Sequence, residues 1–143
     1  MNTPVLITAC ISLLALIAHT FVGTKECTLL SPLSRTNNNV SKSKKLIQHW
    51  KQSMCAFQML TIDLLLVTII LFVIALTELI SFETELILFL SLVFFLWGIV
   101  WLIQLLWLKT EARTYLHLSQ WIFWFICSAL LFWGSTLNNS ITV

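Results

Sequence analysis

The chain has 143 residues, of which 59% are hydrophobic and 10% are charged, and its formal net charge is +2. A water-soluble domain of this size needs a largely polar and charged exterior, so the composition excludes an ordinary globular protein. The four cysteines form no C-x-x-C pair, which argues against a dithiol redox enzyme. We therefore predict a single all-α membrane domain over residues 1–143, with the lipid bilayer as its medium and no nucleic-acid partner.

The first predicted spanning helix covers residues 4–22, and a polar loop follows at 23–51. This loop contains six of the eight Lys and Arg residues. Its last part, residues 41–50, is predicted to form a short interfacial helix. The loop is therefore the most basic region of the chain.

Three further apolar stretches, at residues 54–77, 86–108 and 116–136, are each long enough to cross a hydrocarbon core of about 30 Å. The remaining two bases, Lys109 and Arg113, precede the last stretch. The first and third loops therefore hold every Lys and Arg, and the positive-inside rule places both loops in the cytoplasm. The prediction is a polytopic membrane protein, a four-transmembrane-helix bundle with both termini outside.

Asp63 lies near the middle of the second predicted helix. An acid at the centre of a spanning helix costs about 2.5–3.5 kcal/mol on insertion scales, so it is a functional candidate. No predicted span contains Lys or Arg. The favourable states of Asp63 are then a protonated carboxyl that donates a hydrogen bond, or an anion solvated by water or a bound cation. Two interpretations stay open: proton or cation handling, or a structural contact with another helix or a partner protein.

Helical spacing places several polar side chains on shared faces. On the first helix these are Thr8, Ser12, His19 and Gly23, and Glu26 joins them if the helix continues for one more turn. The second helix carries the stripe Gln52, Ala56, Met59 and Asp63. The last helix aligns His117, Trp121, Trp124, Ser128 and Ser135.

The rise of about 1.5 Å per residue gives the depth of each side chain in the membrane. Asp63, Ser12 and Ser128 fall in one polar layer near the midplane. His19 and Gln104 lie closer to the cytoplasmic surface. These five residues form the predicted ion, proton or ligand site.

A second candidate site lies on the cytoplasmic side and comprises His19, Glu26, His49 and His117. Imidazole and carboxylate groups bind transition metals and also serve as general acids and bases. The spacings match no known metal motif, however. The alternative interpretation is that these histidines are interfacial or packing residues.

The segment A-H-T-F-V-G-T-K-E, from Ala18 to Glu26, is followed by a basic loop, by the pair His49 and Trp50, and by T-I-D at 61–63. This arrangement covers the first half of the chain and resembles small four-helix bacterial inner-membrane proteins of unassigned function. The resemblance implies a multi-pass protein of the bacterial inner membrane and implies no activity.

The leading functional hypothesis is a non-enzymatic membrane protein, either an accessory subunit or an oligomeric proton or cation transporter or channel that uses Asp63. Four helices enclose little space, so a pore would form between copies, and the expected partner is a second copy or another membrane protein. No cofactor is expected on this hypothesis. The alternative is a small membrane enzyme or metal-binding protein that holds a transition metal at the His/Glu cluster.

Overall fold

A computed structural model of the protein describes residues 2–32, 44–108, 115 and 120–139. Most of these residues are helical, and none of them is in a strand. Four of the described segments are long and apolar enough to cross a membrane: Thr3–Leu29, Lys44–Leu76, Glu83–Trp107 and Gln120–Leu137. The predicted all-α class and the four spanning-length helices are confirmed, while membrane insertion and orientation stay predictions.

The first segment consists of three consecutive helices. Helix α1 covers Thr3–Ala18, a π-helix covers His19–Gly23, and α2 covers Thr24–Leu29. The segment is longer than predicted because the helix continues through Gly23 and ends at Leu29, shortly before Pro32. The residue that precedes a proline disfavours the helical conformation.

The π-helix changes which residues of α2 face the rest of the chain. Its wider turn adds one residue to the helical repeat, so the face that contains Gly23 continues to Thr24 and Cys27, which are partly buried. Glu26 is exposed. The prediction that Glu26 continues the face of Thr8 and Ser12 was therefore wrong.

Helix α3 covers Lys44–Leu76, a total of 33 residues. We predicted a short interfacial helix at 41–50 and a separate spanning helix at 54–77, but no Gly or Pro lies between residues 44 and 76 to separate them. The predicted loop at 23–51 is correspondingly shorter, because helices occupy both of its ends. Residues 33–43 of that loop lie outside the described residues.

Helix α4 covers Glu83–Trp107 and α5 covers Gln120–Asn139. Both agree with the predicted spans to within a few residues. Glu83 and Glu85 occupy the first turn of α4, where a negative charge interacts favourably with the helix dipole.

The contacts of the chain divide it into two compact units. One unit comprises Met1–Ile11 and Ile70–Val143, and the other comprises Ser12–Ile69. In the first unit α4 and α5 pack along each other through a cluster of four aromatic side chains: Phe94, Trp97, Phe123 and Trp124. The predicted single membrane domain stays a prediction.

The packing of the first unit depends on close approach at two glycines. A Cβ atom on Gly98 would lie 2.9 Å from a ring carbon of Phe125, so α4 and α5 are in contact there. A Cβ atom on Gly134 would lie 2.9 Å from Val5, and the Asn2 side chain donates a 2.9 Å hydrogen bond to the Gly134 carbonyl. These contacts fix the start of α1 against the end of α5.

Candidate functional site

Asp63 lies on the exposed side of α3. It has no hydrogen-bond or ion-pair partner among the described residues. Its neighbours at one helical turn are apolar and exposed, since Met59 is 69% exposed and Leu66 is 53% exposed. The carboxylate is thus the one ionisable group in a stretch of apolar surface that runs along α3 from Met59 to Leu66.

No base of the described residues lies near Asp63 along the sequence. The nearest Lys or Arg on α3 is Lys51, twelve residues earlier, which corresponds to about 18 Å along the helix axis. Helix α4 contains no Lys or Arg at all. Asp63 is therefore a carboxylate without a neutralising cation on its own helix at its own depth.

Beside Asp63 the surface of α3 is slightly concave. The concavity is shallow and open and is lined by Met54, Cys55, Gln58, Met59 and Ile62. Gln58 Nε2 donates a 3.4 Å hydrogen bond to Thr24 Oγ1 at the edge of this surface. This surface is formed mostly by apolar and thiol groups. Asp63 is not one of its lining residues.

His19 packs inside the second unit. Its ring stacks on Phe57 with the centroids 3.9 Å apart and 19° between the planes. Its Nε2 lies 3.3 Å from the Phe57 carbonyl oxygen, and because a carbonyl only accepts, Nε2 carries the proton in this hydrogen bond. A Cβ atom on Gly23 would lie 2.7 Å from the Phe57 ring, so the π-helix and α3 are in close contact. His19 therefore has a packing role between these two helices.

The two serines of the predicted polar layer differ in their hydrogen bonding. Ser12 is 0% exposed, and its hydroxyl has no hydrogen-bond partner among the described residues. Ser128 exchanges hydrogen bonds with Ser91, since each hydroxyl donates to the other residue's carbonyl at 2.9 Å. Ser128 thus joins α4 to α5.

Sequence reasoning missed Ser91, the partner of Ser128. The signal was present, because Ser91 is the only hydroxyl between residues 85 and 109. A hydroxyl in an apolar membrane helix seeks a partner on a neighbouring helix. Together the two serines line a groove of about 500 Å³ between α4 and α5, whose other lining residues include Leu88, Phe95 and Phe132.

The predicted His/Glu cluster is not formed among the described residues. Gln104, Glu26 and His49 are exposed, and His117 lies outside the described residues. Within the described ranges, no three His, Cys, Asp or Glu side chains come close enough to hold a metal ion. A metal site that includes His117 stays a prediction.

No protein-family model, no curated protein and no solved structure matches the chain. The resemblance to small bacterial inner-membrane proteins therefore stays an expectation.

Proposed function

We propose that the chain is a non-enzymatic subunit of a complex in the bacterial inner membrane, oriented with both termini outside. In this proposal Asp63 on α3 contacts a neighbouring chain. The observation that supports it is the exposed position of this carboxylate, which has no partner among the described residues.

The free-energy cost of an acid in lipid supports a neighbouring chain at this position. Asp63 lies thirteen residues before Leu76, or about 20 Å from the C-terminal end of α3. If Leu76 lies at one boundary of a hydrocarbon core of about 30 Å, Asp63 is about 10 Å inside the other. Exposure to lipid at that depth is costly, and acids in spanning segments almost always face protein or a water-filled cavity.

A transport activity is the second form of the same proposal. In that form several copies surround a pore in which Asp63 binds a proton or cation and Gln104 lines the cytoplasmic approach. The predicted contributions of Ser12, Ser128 and His19 require these buried or packed side chains to leave their present contacts. The exposed positions of Asp63 and Gln104 are compatible with a pore between copies. The accessory-subunit form requires only the contact at Asp63 and is therefore the simpler one.

The size of the complex in native membranes tests the proposal. We expect wild type, extracted in a mild detergent, to sediment as a complex larger than one chain, and Asp63→Leu to sediment as the single chain. The matched control is Leu65→Asn, which places a polar group two residues away on the other side of α3, about 160° from Asp63. Sedimentation of Asp63→Leu with wild type would count against the proposal.

Proton flux into reconstituted vesicles separates its two forms. The transport form predicts a pH-driven flux that Asp63→Asn abolishes and that the loop variant Glu78→Gln leaves intact. Absence of both proton flux and Na⁺ or K⁺ flux from wild-type vesicles, with complex formation retained in the native membrane, leaves the accessory-subunit form alone.

A further inference from the structure

Residues on the exposed side of α3 are spaced like those at which two packed helices contact each other. Five residues follow each other at intervals of four, three, four and three, and every one of them is exposed: Gln52, Ala56, Met59, Asp63 and Leu66. We name these five residues the α3 seam. Alternating intervals of three and four are the a and d positions of two helices that cross at about 20°. The α3 seam thus has the spacing that one side of such a helix pair requires.

The chemistry of the α3 seam restricts what can pack on it. Ala56 is small and permits close approach of a second helix, as is usual where membrane helices meet. Met59 and Leu66 supply apolar contact on either side of Asp63. The centre of the seam therefore requires a helix that is apolar except where it meets the carboxylate.

A second copy of this chain does not place a Lys or Arg opposite Asp63. A two-fold axis along the membrane normal would bring the two α3 seams together with Asp63 opposite Asp63, and two adjacent carboxylates cannot both ionise. The α3 seam contains no base. A Lys or Arg on a different chain would pair with the carboxylate, and each charge would lower the other's cost of being in the membrane.

We infer that the α3 seam binds a transmembrane helix of a different protein, and that this helix carries a Lys or Arg at the depth of Asp63. The inference rests on the proposed function, because it specifies the neighbouring chain that the proposed function requires. Charge complementarity selects the partner, and the a/d spacing sets the alignment of its helix against α3.

Binding of defined transmembrane peptides tests the inference. The full chain, with a donor dye on a C-terminal tag, is reconstituted into phosphatidylcholine vesicles with acceptor-labelled Leu/Ala helices. These helices carry a single Lys, Leu or Glu at the position opposite Asp63. We expect energy transfer to show about tenfold tighter association with the Lys peptide than with the Leu peptide, given the strength of interhelical polar contacts in model peptides. We expect Asp63→Asn to remove this preference and Asp63→Lys to transfer it to the Glu peptide.

The matched control is the double variant Asp63→Asn, Leu65→Asp, which keeps one acid at nearly the same depth on the other side of α3. It should not prefer the Lys peptide. Equal preference in this variant would show that any membrane acid suffices and would overturn the inference.

Two further outcomes separate the inference from the proposed function. Equal binding of all three peptides, or energy transfer between copies of the chain that exceeds transfer to the Lys peptide, overturns the inference and leaves the proposed function intact. Absence of association with any peptide overturns the inference, and the proposed function is overturned as well only if Asp63→Leu also sediments with wild type after extraction from native membranes.

Discussion

Polar groups in apolar helices are buried and hydrogen-bonded at the α4–α5 contact, whereas the polar groups of the α3 seam are exposed. Ser91 and Ser128 are buried, and the hydroxyl of each donates a 2.9 Å hydrogen bond to the backbone carbonyl of the other. Asp63 is exposed and is satisfied by no described residue. A polar group that is satisfied inside the chain determines how its own helices pack. A polar group on the surface is instead accessible to a partner, and we propose that Asp63 has this role.

The same contrast holds for the large apolar side chains. Phe94 on α4 is 0% exposed and contacts three aromatic rings, those of Trp97, Phe123 and Trp124. Met59 in the α3 seam is 69% exposed. Substitutions in the first region should therefore change the stability of the single chain, and substitutions in the second should change association.

The largest expected effect is at Phe94. Phe94→Ala should lower the free energy of unfolding by about 3–5 kcal/mol, because it leaves a cavity inside the aromatic cluster. The matched control on the same helix is Phe89→Ala, at a side chain that is 60% exposed, and it should change stability by less than about 0.5 kcal/mol. Unfolding of the purified chain in detergent measures both, and equal effects would contradict the contrast between the two regions.

The next effect concerns membrane insertion of α3. Asp63→Leu should make insertion of the segment 58–76 more favourable by about 3 kcal/mol, because the acid is costly in lipid and leucine is not. Met59→Leu is the control and should have almost no effect. An insertion reporter measures the change, and unaltered insertion of Asp63→Leu would mean that this position lies outside the hydrocarbon core.

A smaller effect on stability is expected for substitution of His19, in the second unit. His19→Ala should destabilise the chain by about 1–2 kcal/mol through loss of the stacking on Phe57 and of the hydrogen bond to its carbonyl. His19→Phe keeps the stacking and should lose only part of this. Thermal unfolding in detergent distinguishes them, and identical losses would assign the whole effect to the hydrogen bond.

The smallest effect is expected at the serine pair. Ser91→Ala and Ser128→Ala should each cost about 0.6 kcal/mol, the average for interhelical hydrogen bonds in membrane proteins. Because the two hydroxyls also lie 3.3 Å apart, a double-mutant cycle should show coupling between them. Ser81→Ala, at an exposed position outside the helices, is the control. Strict additivity would mean that the two hydrogen bonds act independently.

Sequence reasoning succeeded where the membrane itself imposes a rule. Spans of about 20 apolar residues are a requirement of bilayer thickness, so the four helices were predictable. Small and hydroxylated residues favour helix contacts, and the predicted faces agree with burial: Thr8 and Ser12 are 0% exposed, and Ser135 is 1% exposed. The face of α5 that contains Trp124 and Ser128 was predicted for the same reason.

Sequence reasoning failed where periodicity carries no information. The π-helix at His19–Gly23 adds one residue to the turn, so the exposure of Glu26 could not be predicted from a constant 3.6-residue repeat. The sequence also did not predict which side of α3 is exposed. A membrane helix is apolar all round, so the stripe of Ala56, Met59 and Asp63 could be identified but not assigned to the inside or the outside.

The length of α3 has a consequence for how the helix is anchored in a bilayer. At 33 residues it is about 50 Å long, which exceeds a hydrocarbon core of about 30 Å. In a bilayer its N-terminal turns, with Lys44, Lys45 and Lys51, would extend among the lipid headgroups, where each base interacts with anionic lipid by about 1 kcal/mol. Neither Gly nor Pro interrupts the helix between residues 44 and 76, so the basic turns and Asp63 belong to one continuous helix. In a bilayer, these basic turns would therefore be an interfacial anchor for the helix that carries the carboxylate.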